Sequence, residues 1–255
     1  SGMQITGLAR YDGTAWSVFG DPVNAATIAS ITGLHARPNG DLLVTGMFET
    51  IGGVAVNNIA QWNGSAWSPV GPASPPVFQL IRDSVVMSNG DLIVTGFLQS
   101  IGGVPVNNIA RWNGTVWTPV PGIVAGLMRT VFEHSNGDLI VSGSLTLPNG
   151  ETPKVARFDG TSFLPMSADR LDAEVVELVE LSNGDVVAAG PFTSIDHASL
   201  LPSGAGGLAR WSGGVWEPLT PGTDGVVLDV IADPVLGLHA VGSFHSVEGA
   251  NAQGL

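Results

Sequence analysis

The segment NNIARWNGTVWTPV, residues 107–120, decides how the chain is read, because four other segments repeat its plan. They are LARYDGTAWSVF (8–19), IAQWNGSAWSPV (59–70), VARFDGTSFLPM (155–166) and LARWSGGVWEPL (208–219). Each carries two aromatic residues five positions apart around a short turn: Tyr11/Trp16, Trp62/Trp67, Trp112/Trp117, Phe158/Phe163 and Trp211/Trp216. All seven tryptophans and the single tyrosine fall in these slots. Bulky rings at one phase of a repeat read as core pegs, each worth about 2 kcal/mol or more once buried. The alternative is a sugar-stacking platform in every copy, and the use of phenylalanine in both slots of 155–166 favours pegs.

Upstream of each aromatic segment stands an Asn-Gly-Asp turn: 39–41, 89–91, 136–138 and 183–185, with a degenerate fifth at 233–237. Successive turns are 50, 47 and 47 residues apart. A short apolar run closing in glycine follows each one: LLVTG, LIVTG, LIVSG, VVAAG and LHAVG. Asn-Gly between apolar runs signals a two-residue hairpin of type I′, with left-handed backbone at both central residues. Asp12-Gly13, Asn63-Gly64, Asn113-Gly114 and Asp159-Gly160 give the same expectation between the aromatics. Two hairpins per period make four strands, A to D, and a four-stranded unit repeating every 40 to 50 residues is the signature of a β-propeller blade.

The expected fold is therefore all-β: one domain over 1–255, a five-bladed β-propeller with four antiparallel strands per blade. Segments 2–8 and 249–255 align with the same part of the repeat, so the last blade is shared between 1–20 and 222–255. Its strands C and D come from the N-terminus and A and B from the C-terminus, closing the ring. A piece of a longer repeat array is the rival reading of the same overlap. The A–B and C–D turns are short, whereas the B–C and D–A connections are long. Binding residues concentrate on long loops held by a rigid frame, so the long-loop face is where a ligand is expected.

Composition sets limits on function. The formal charge is −13 with only nine Lys plus Arg, which argues against nucleic acid and anionic lipid as partners. There is no cysteine, hence no disulfide, thiolate metal site or cysteine nucleophile. No apolar run approaches the ~20 residues that span a bilayer, and no charged, then hydrophobic, leader opens the sequence. No membrane insertion, no cofactor and a monomeric state are expected.

The units GGVAVNNIAQWNGSAWSPVG (52–71) and GGVPVNNIARWNGTVWTPVP (102–121) resemble the Kelch-like, galactose-oxidase-like repeat arrays of secreted and cell-surface proteins. The resemblance covers the whole chain and implies the propeller fold and an extracellular or cell-surface location. It implies no single activity, since propellers host lectins, hydrolases, oxidases and scaffolds. The hairpins are also similar to the Asp-boxes of sialidase-like propellers, but the Ser-x-Asp-x-Gly spacing is absent.

The best departure from periodicity lies at the start of strand A, where Arg82, Asp83, Arg129, Glu177 and Asp229 replace apolar or small residues. Strand A would line the central channel, so these five are the candidate ligand-binding residues of a channel mouth. The structural alternative is a solvated rim of mutually paired charges. Asp41, Asp91, Asp138 and Asp185 read as turn supports rather than metal ligands, because no second carboxylate recurs beside them. Asn57, Asn58, Asn107 and Asn108 read as turn residues with positive φ rather than a polar binding rim. Asp169, Asp172 and Glu174 form the densest acidic cluster, read as a solvated loop before a cation site. The five histidines, His35, His134, His197, His239 and His245, occupy different phases, and no catalytic motif surrounds them. No catalytic residue and no metal site is assigned.

The expected function is a non-catalytic binding module for a protein or carbohydrate. A carbohydrate-active enzyme would need two carboxylates facing each other at ~5 to 9.5 Å. A purely structural or engineered repeat scaffold is the third reading.

Overall fold

Apolar residues alternating with polar ones, interrupted every few positions by glycine turns, give strands throughout and no helix among the described residues. A computed structural model describes residues 8–19, 30–72, 79–168, 170–196, 198–199, 207–219, 222–247 and 250–251. The chain divides into two compact units, Ser1–Val120 and Pro121–Leu255. The terminal overlap of 2–7 and 252–255 lies outside the described residues.

The first unit holds β1 (Ala9–Tyr11), β2 (Trp16–Val18), β3 (Ser30–Ala36), β4 (Leu42–Met47), β5 (Thr50–Ile51), β6 (Val54–Ala55), β7 (Ile59–Trp62) and β8 (Trp67–Pro69). It continues with β9 (Leu80–Val86), β10 (Leu92–Phe97), β11 (Ser100–Ile101), β12 (Val104–Pro105), β13 (Ile109–Trp112) and β14 (Trp117–Pro119). Its antiparallel sheets run β3-β4-β7-β8 and β9-β10-β13-β14, the expected order A-B-C-D, with β1-β2 as a two-stranded sheet. The pairings Leu42↔Trp62 and Leu92↔Trp112 put the two sheets in identical register.

The second unit holds β15 (Ala125–Glu133), β16 (Leu139–Thr146), β17 (Val155–Phe158), β18 (Phe163–Pro165), β19 (Glu177–Glu180), β20 (Val186–Ala189), β21 (Ser194–Ile195) and β22 (Ala198–Ser199). Then come β23 (Leu208–Ser212), β24 (Val215–Pro218), β25 (Val226–Asp233), β26 (Gly237–Ser243), β27 (Ser246–Val247) and β28 (Ala250–Asn251). β15-β16-β17-β18 and β19-β20-β23-β24 repeat the four-stranded plan, and β25-β26 is two-stranded. Proline ends the outer strand of all four complete sheets, at Pro69, Pro119, Pro165 and Pro218, where a missing N–H costs no ladder bond.

The rings behave as pegs where the sheets are complete. Trp67, Trp112, Trp117, Phe163 and Trp216 are buried, and facing pairs such as Trp112–Trp117 lie tilted with centroids 5.3 Å apart. The first copy departs: Tyr11 is 53% and Trp16 64% exposed.

Two turn expectations are corrected. The Asn-Gly-Asp loops are not two-residue turns: Gly40 N donates to Arg37 O (2.9 Å) and Arg37 N to Asp41 O (2.8 Å), a three-residue loop with left-handed backbone only at Gly40. Likewise only Gly64 of Asn63-Gly64 has positive φ, because the Asn63 carboxamide accepts the N–H groups of Ser65 and Ala66 and fixes the turn. Adjacent left-handed residues occur instead in the glycine pairs 52–53, 102–103 and 213–214 and at Asn57-Asn58. The first two close the small hairpins β5-β6 and β11-β12, which fold inside B–C connections that the sequence left as loops.

Every inner strand except β19 carries a bulge, at Thr32, Arg82, Arg129 and Leu228, opposite the glycine that closes strand B. That explains the recurring glycine. A Cβ on Gly96 would lie 2.0 Å from Leu80 O, and one on Gly143 2.2 Å from Leu127 O.

Candidate functional site

The five candidate residues of strand A do not share one position. Arg82 and Arg129 are the bulged residues themselves, whereas Asp83 and Asp229 follow the bulge, and Glu177 stands at the matching place in β19, opposite Ala189. The bulge, invisible in the sequence, shifts the phase by one residue. Arg82 and Asp83 belong to the first unit and Arg129, Glu177 and Asp229 to the second.

The three acids share one local task. Asp83 Oδ1 accepts from Ser84 N (2.7 Å), Glu177 Oε1 from Leu178 N (3.1 Å) and Asp229 Oδ1 from Val230 N (2.7 Å). Each caps the amide that follows it. Arg129 ion-pairs with Glu174 at 2.6 Å.

The acidic loop serves structure as well. Asp172 accepts from Thr193 N (2.8 Å), Ser194 N (3.1 Å) and the Thr193 hydroxyl (2.9 Å). Burial alone would raise its pKa, but these bonds override it and hold the carboxylate below its usual range. Asp224 binds His245 N, Ser246 N and the Ser246 hydroxyl in the same way. Asp169 and His197 lie outside the described residues.

The turn aspartates reach farther than local support. Asp41 accepts from Gln61 Nε2 (2.6 Å), Asp91 from Arg111 Nε (2.7 Å) and Asp138 from Arg157 Nη1 (3.2 Å), tying each A–B turn to strand C. The fixed Arg or Gln before the first aromatic was the available signal. Asn57, Asn58 and Asn108 have positive φ, as turn residues should, whereas Asn107, expected to share it, does not; Asn58 and Asn108 also accept Phe48 N and Leu98 N through their side chains.

One histidine constellation escaped sequence reasoning. His35 Nε2 lies 2.7 Å from Ser84 Oγ, which lies 2.8 Å from Thr45 Oγ1. Burial lowers the His35 pKa against the opposing charge of Asp83, so the ring is neutral and the string is a hydrogen-bonded tie between neighbouring sheets. A serine beside a neutral imidazole has the chemistry of a nucleophile, but Ser84 is only 4% exposed and Gly33 packs over it.

One difference between periods lies at the long-loop end. Where sheets β15–β18 and β19–β24 meet, a cavity of about 440 Å³ opens. Its lip is made by the B–C loop, with Glu151 and Lys154, and by the D–A loop, with Ala168 and Arg170; its wall by Val155, Leu164, Pro165, Met166, Leu171 and Trp216. The corresponding groove of the first unit, against Trp117, holds about 10 Å³. There Gly102, at the tip of the β11-β12 hairpin, and Pro72 press on the indole; a Cβ on Gly102 would stand 2.7 Å from Trp117 Cδ1. The β5-β6 hairpin also brings Ala55 and Val56 to the closed groove, whereas its counterpart in the third period, LPNGETPK, turns back early, with Gly150 N bonded to Leu147 O (2.9 Å), and forms no such hairpin. Small differences in loop sequence thus open one groove and close the other.

Repeated four-stranded antiparallel meanders of this kind define a β-propeller type of protein. The chain is similar to the extracellular domain of the hybrid two-component system BT3049 from B. thetaiotaomicron, at 13% identity and a TM-score of 0.57, over 93% of this chain and 29% of that one. It is also similar to YCF48 bound to D1 peptide, at 16% identity and a TM-score of 0.49, over 81% of this chain and 57% of that one. A streptogramin B lyase structure matches at 14% identity and a TM-score of 0.45, over 85% and 62%. The chain thus spans 29% to 62% of the lengths of these proteins, and at such identities the likeness is one of fold. No family model and no curated protein matches the chain.

Proposed function

We propose that the protein is a non-catalytic binding module of the β-propeller type, which takes its ligand at the long-loop end of the second unit. The observation that carries this reading is the cavity of about 440 Å³ at a place where the corresponding groove of the first unit is closed. Its size is that of small-molecule sites, ~300 to 1,000 Å³. The strand-A acids, by contrast, are committed to capping backbone amides, which supports a binding role over acid/base chemistry. Kelch-like repeats, an extracellular setting and a protein or glycan as the natural ligand belong to the same reading. The residues 52–71 and 102–121 support the first, and the extracellular domain of BT3049 supports the second.

The fold part of the proposal is a five-bladed ring in which β1-β2 supplies strands C and D to the blade begun by β25-β26. What supports it is that the two two-stranded sheets carry the sequences of complementary half-blades, and that rings buried in the complete sheets are exposed at Tyr11 and Trp16.

Ligand-observed NMR on the full chain, with a fragment set that includes mono- and disaccharides, tests the binding role. Binders are expected, and Ala168→Trp, which fills the cavity lip, should displace them while Asp83→Asn leaves them in place. Binders lost in Asp83→Asn and Asp229→Asn but retained in Ala168→Trp would return the site to strand A. No binder at all would favour a scaffold.

A further inference from the structure

Resting on that reading, we propose that the cavity between β15–β18 and β19–β24 selects a small organic monocarboxylate: one carboxylate on a compact apolar body. The argument begins with charge. The chain carries 22 acidic residues against nine basic ones, so cations are scarce, and four of the nine are bound in the pairs Arg111–Asp91, Arg129–Glu174, Arg157–Asp138 and Arg210–Glu217. Lys154, the only lysine, and Arg170 both stand on this one lip, and neither forms an ion pair among the described residues. They approach from different segments, the B–C loop and the D–A loop.

The rest of the lining fixes the body of the ligand. The apolar part of the lining is Val155, Leu164, Pro165, Met166 and Leu171, together with Trp216, which is 6% exposed. Trp211 donates its indole N–H to Met166 O (2.8 Å), which takes up one of that carbonyl's two acceptor positions. A lone carboxylate meets an ammonium and a guanidinium, the pair of donors suited to charge-assisted bonds, while its hydrocarbon part displaces water from the wall.

Glu151 limits the charge. It shares the lip, held by Asn149 Nδ2 at 3.0 Å, and its carboxylate repels a second anionic group. The site therefore favours monoanions over dicarboxylates and phosphates. The Lys154 and Arg170 side chains are half-buried and exposed respectively, so their grip weakens as salt rises.

Two sources share this chemistry, a free carboxylic acid and the carboxyl terminus of a short apolar peptide. Isothermal titration of the full chain with 4-phenylbutyrate, 4-phenylbutyramide, and N-acetyl-Ala-Phe as acid and amide separates them. Both acids are expected to bind more tightly than their amides by about a hundredfold, the ratio of two charge-assisted contacts of ~1.4 kcal/mol each. A preference for the peptide acid assigns the site to a chain terminus; a preference for 4-phenylbutyrate assigns it to a free acid. Lys154→Met, which keeps the aliphatic stem, and Arg170→Gln should each weaken the acid about tenfold and leave the amide unchanged. Arg82→Gln, on β9, should change neither. Thermal melts that match the parent show that the variants are folded. Amides that bind as well as acids, or acids indifferent to Lys154→Met and Arg170→Gln, would overturn the inference. If neutral fragments still bind and are lost in Ala168→Trp, the binding-module reading stands without it; if nothing binds the full chain, both fall.

Discussion

At the scale of single residues, the glycine closing strand B separates two kinds of glycine. Gly143 has φ of 142° and no room for a side chain, since a Cβ would stand 2.2 Å from Leu127 O and 2.9 Å from Met128 Cα. Gly160 has φ of 94° but nothing within 4 Å. Gly160→Ala should cost about 1 kcal/mol for left-handed backbone alone, whereas Gly143→Ala must also undo the bulge and should cost about 3 kcal/mol or more. Urea unfolding of the two variants measures the difference; equal losses would show that the bulge yields freely.

The acid turns give a pH prediction at the same scale. Hydrogen bonds from the Thr161 hydroxyl and from Ser162 N and Thr161 N lower the Asp159 pKa to about 2, well below the usual carboxylate range. Asp12 is lowered to about 2 by Ala15 N, the Thr14 hydroxyl and Thr14 N. A carboxylate with a depressed folded pKa stabilises the fold above its unfolded value, and that contribution disappears as pH falls from about 4 towards 2. Asn63 and Asn113 make the same amide bonds without charge. Asp159→Asn should therefore leave the melting temperature near neutrality almost unchanged and make the decline between about pH 4 and 2 shallower. A decline as steep as the parent's would assign the acid sensitivity to other groups.

At the scale of elements, the four strands of each period and their order were readable in the sequence, because apolar runs, glycine turns and aromatic pairs recur in phase. The bulges were not. They depend on how β9 meets β10 rather than on either strand alone, so Arg82 and Asp83 read as one charged pair although pairing assigns them different places. The hairpins β5-β6 and β11-β12 were present in the sequence as Gly-Gly, yet two-residue strands are too short to show a period. The site was the least readable part. Lys154 and Arg170 look like isolated loop cations until folding brings their two loops to one lip, and the cavity depends on what LPNGETPK fails to build. Trp117, by contrast, was legible as a peg, and it is buried with its indole N–H on Val70 O at 3.2 Å.

At the scale of the whole molecule, the proposed closure of the ring can be tested through the absence of cysteine. The registers Val44↔Ala60 and Val94↔Ala110 imply that a closed fifth blade would set Ala240 opposite Ala9. Directly opposed residues of antiparallel strands have Cα atoms ~4.5 to 5.5 Å apart, within disulfide range. Oxidised Ala9→Cys/Ala240→Cys protein should form an intramolecular disulfide, seen as faster migration without reductant, and should melt at a higher temperature. Covalent dimers would mean that the half-blades pair between copies, and a protein that stays reduced would exclude this register.

The prolines that end β8, β14, β18 and β24 carry a consequence for how such a chain can change in length. Each sheet carries its own terminator on its outermost strand, where a foreign strand would otherwise find a row of donors. Because this protection is built into each of the four complete sheets, such a period of about 50 residues could be duplicated or lost without baring a new adhesive margin. Copy number is thereby decoupled from edge exposure, and the flanks of the complete sheets impose no limit of their own.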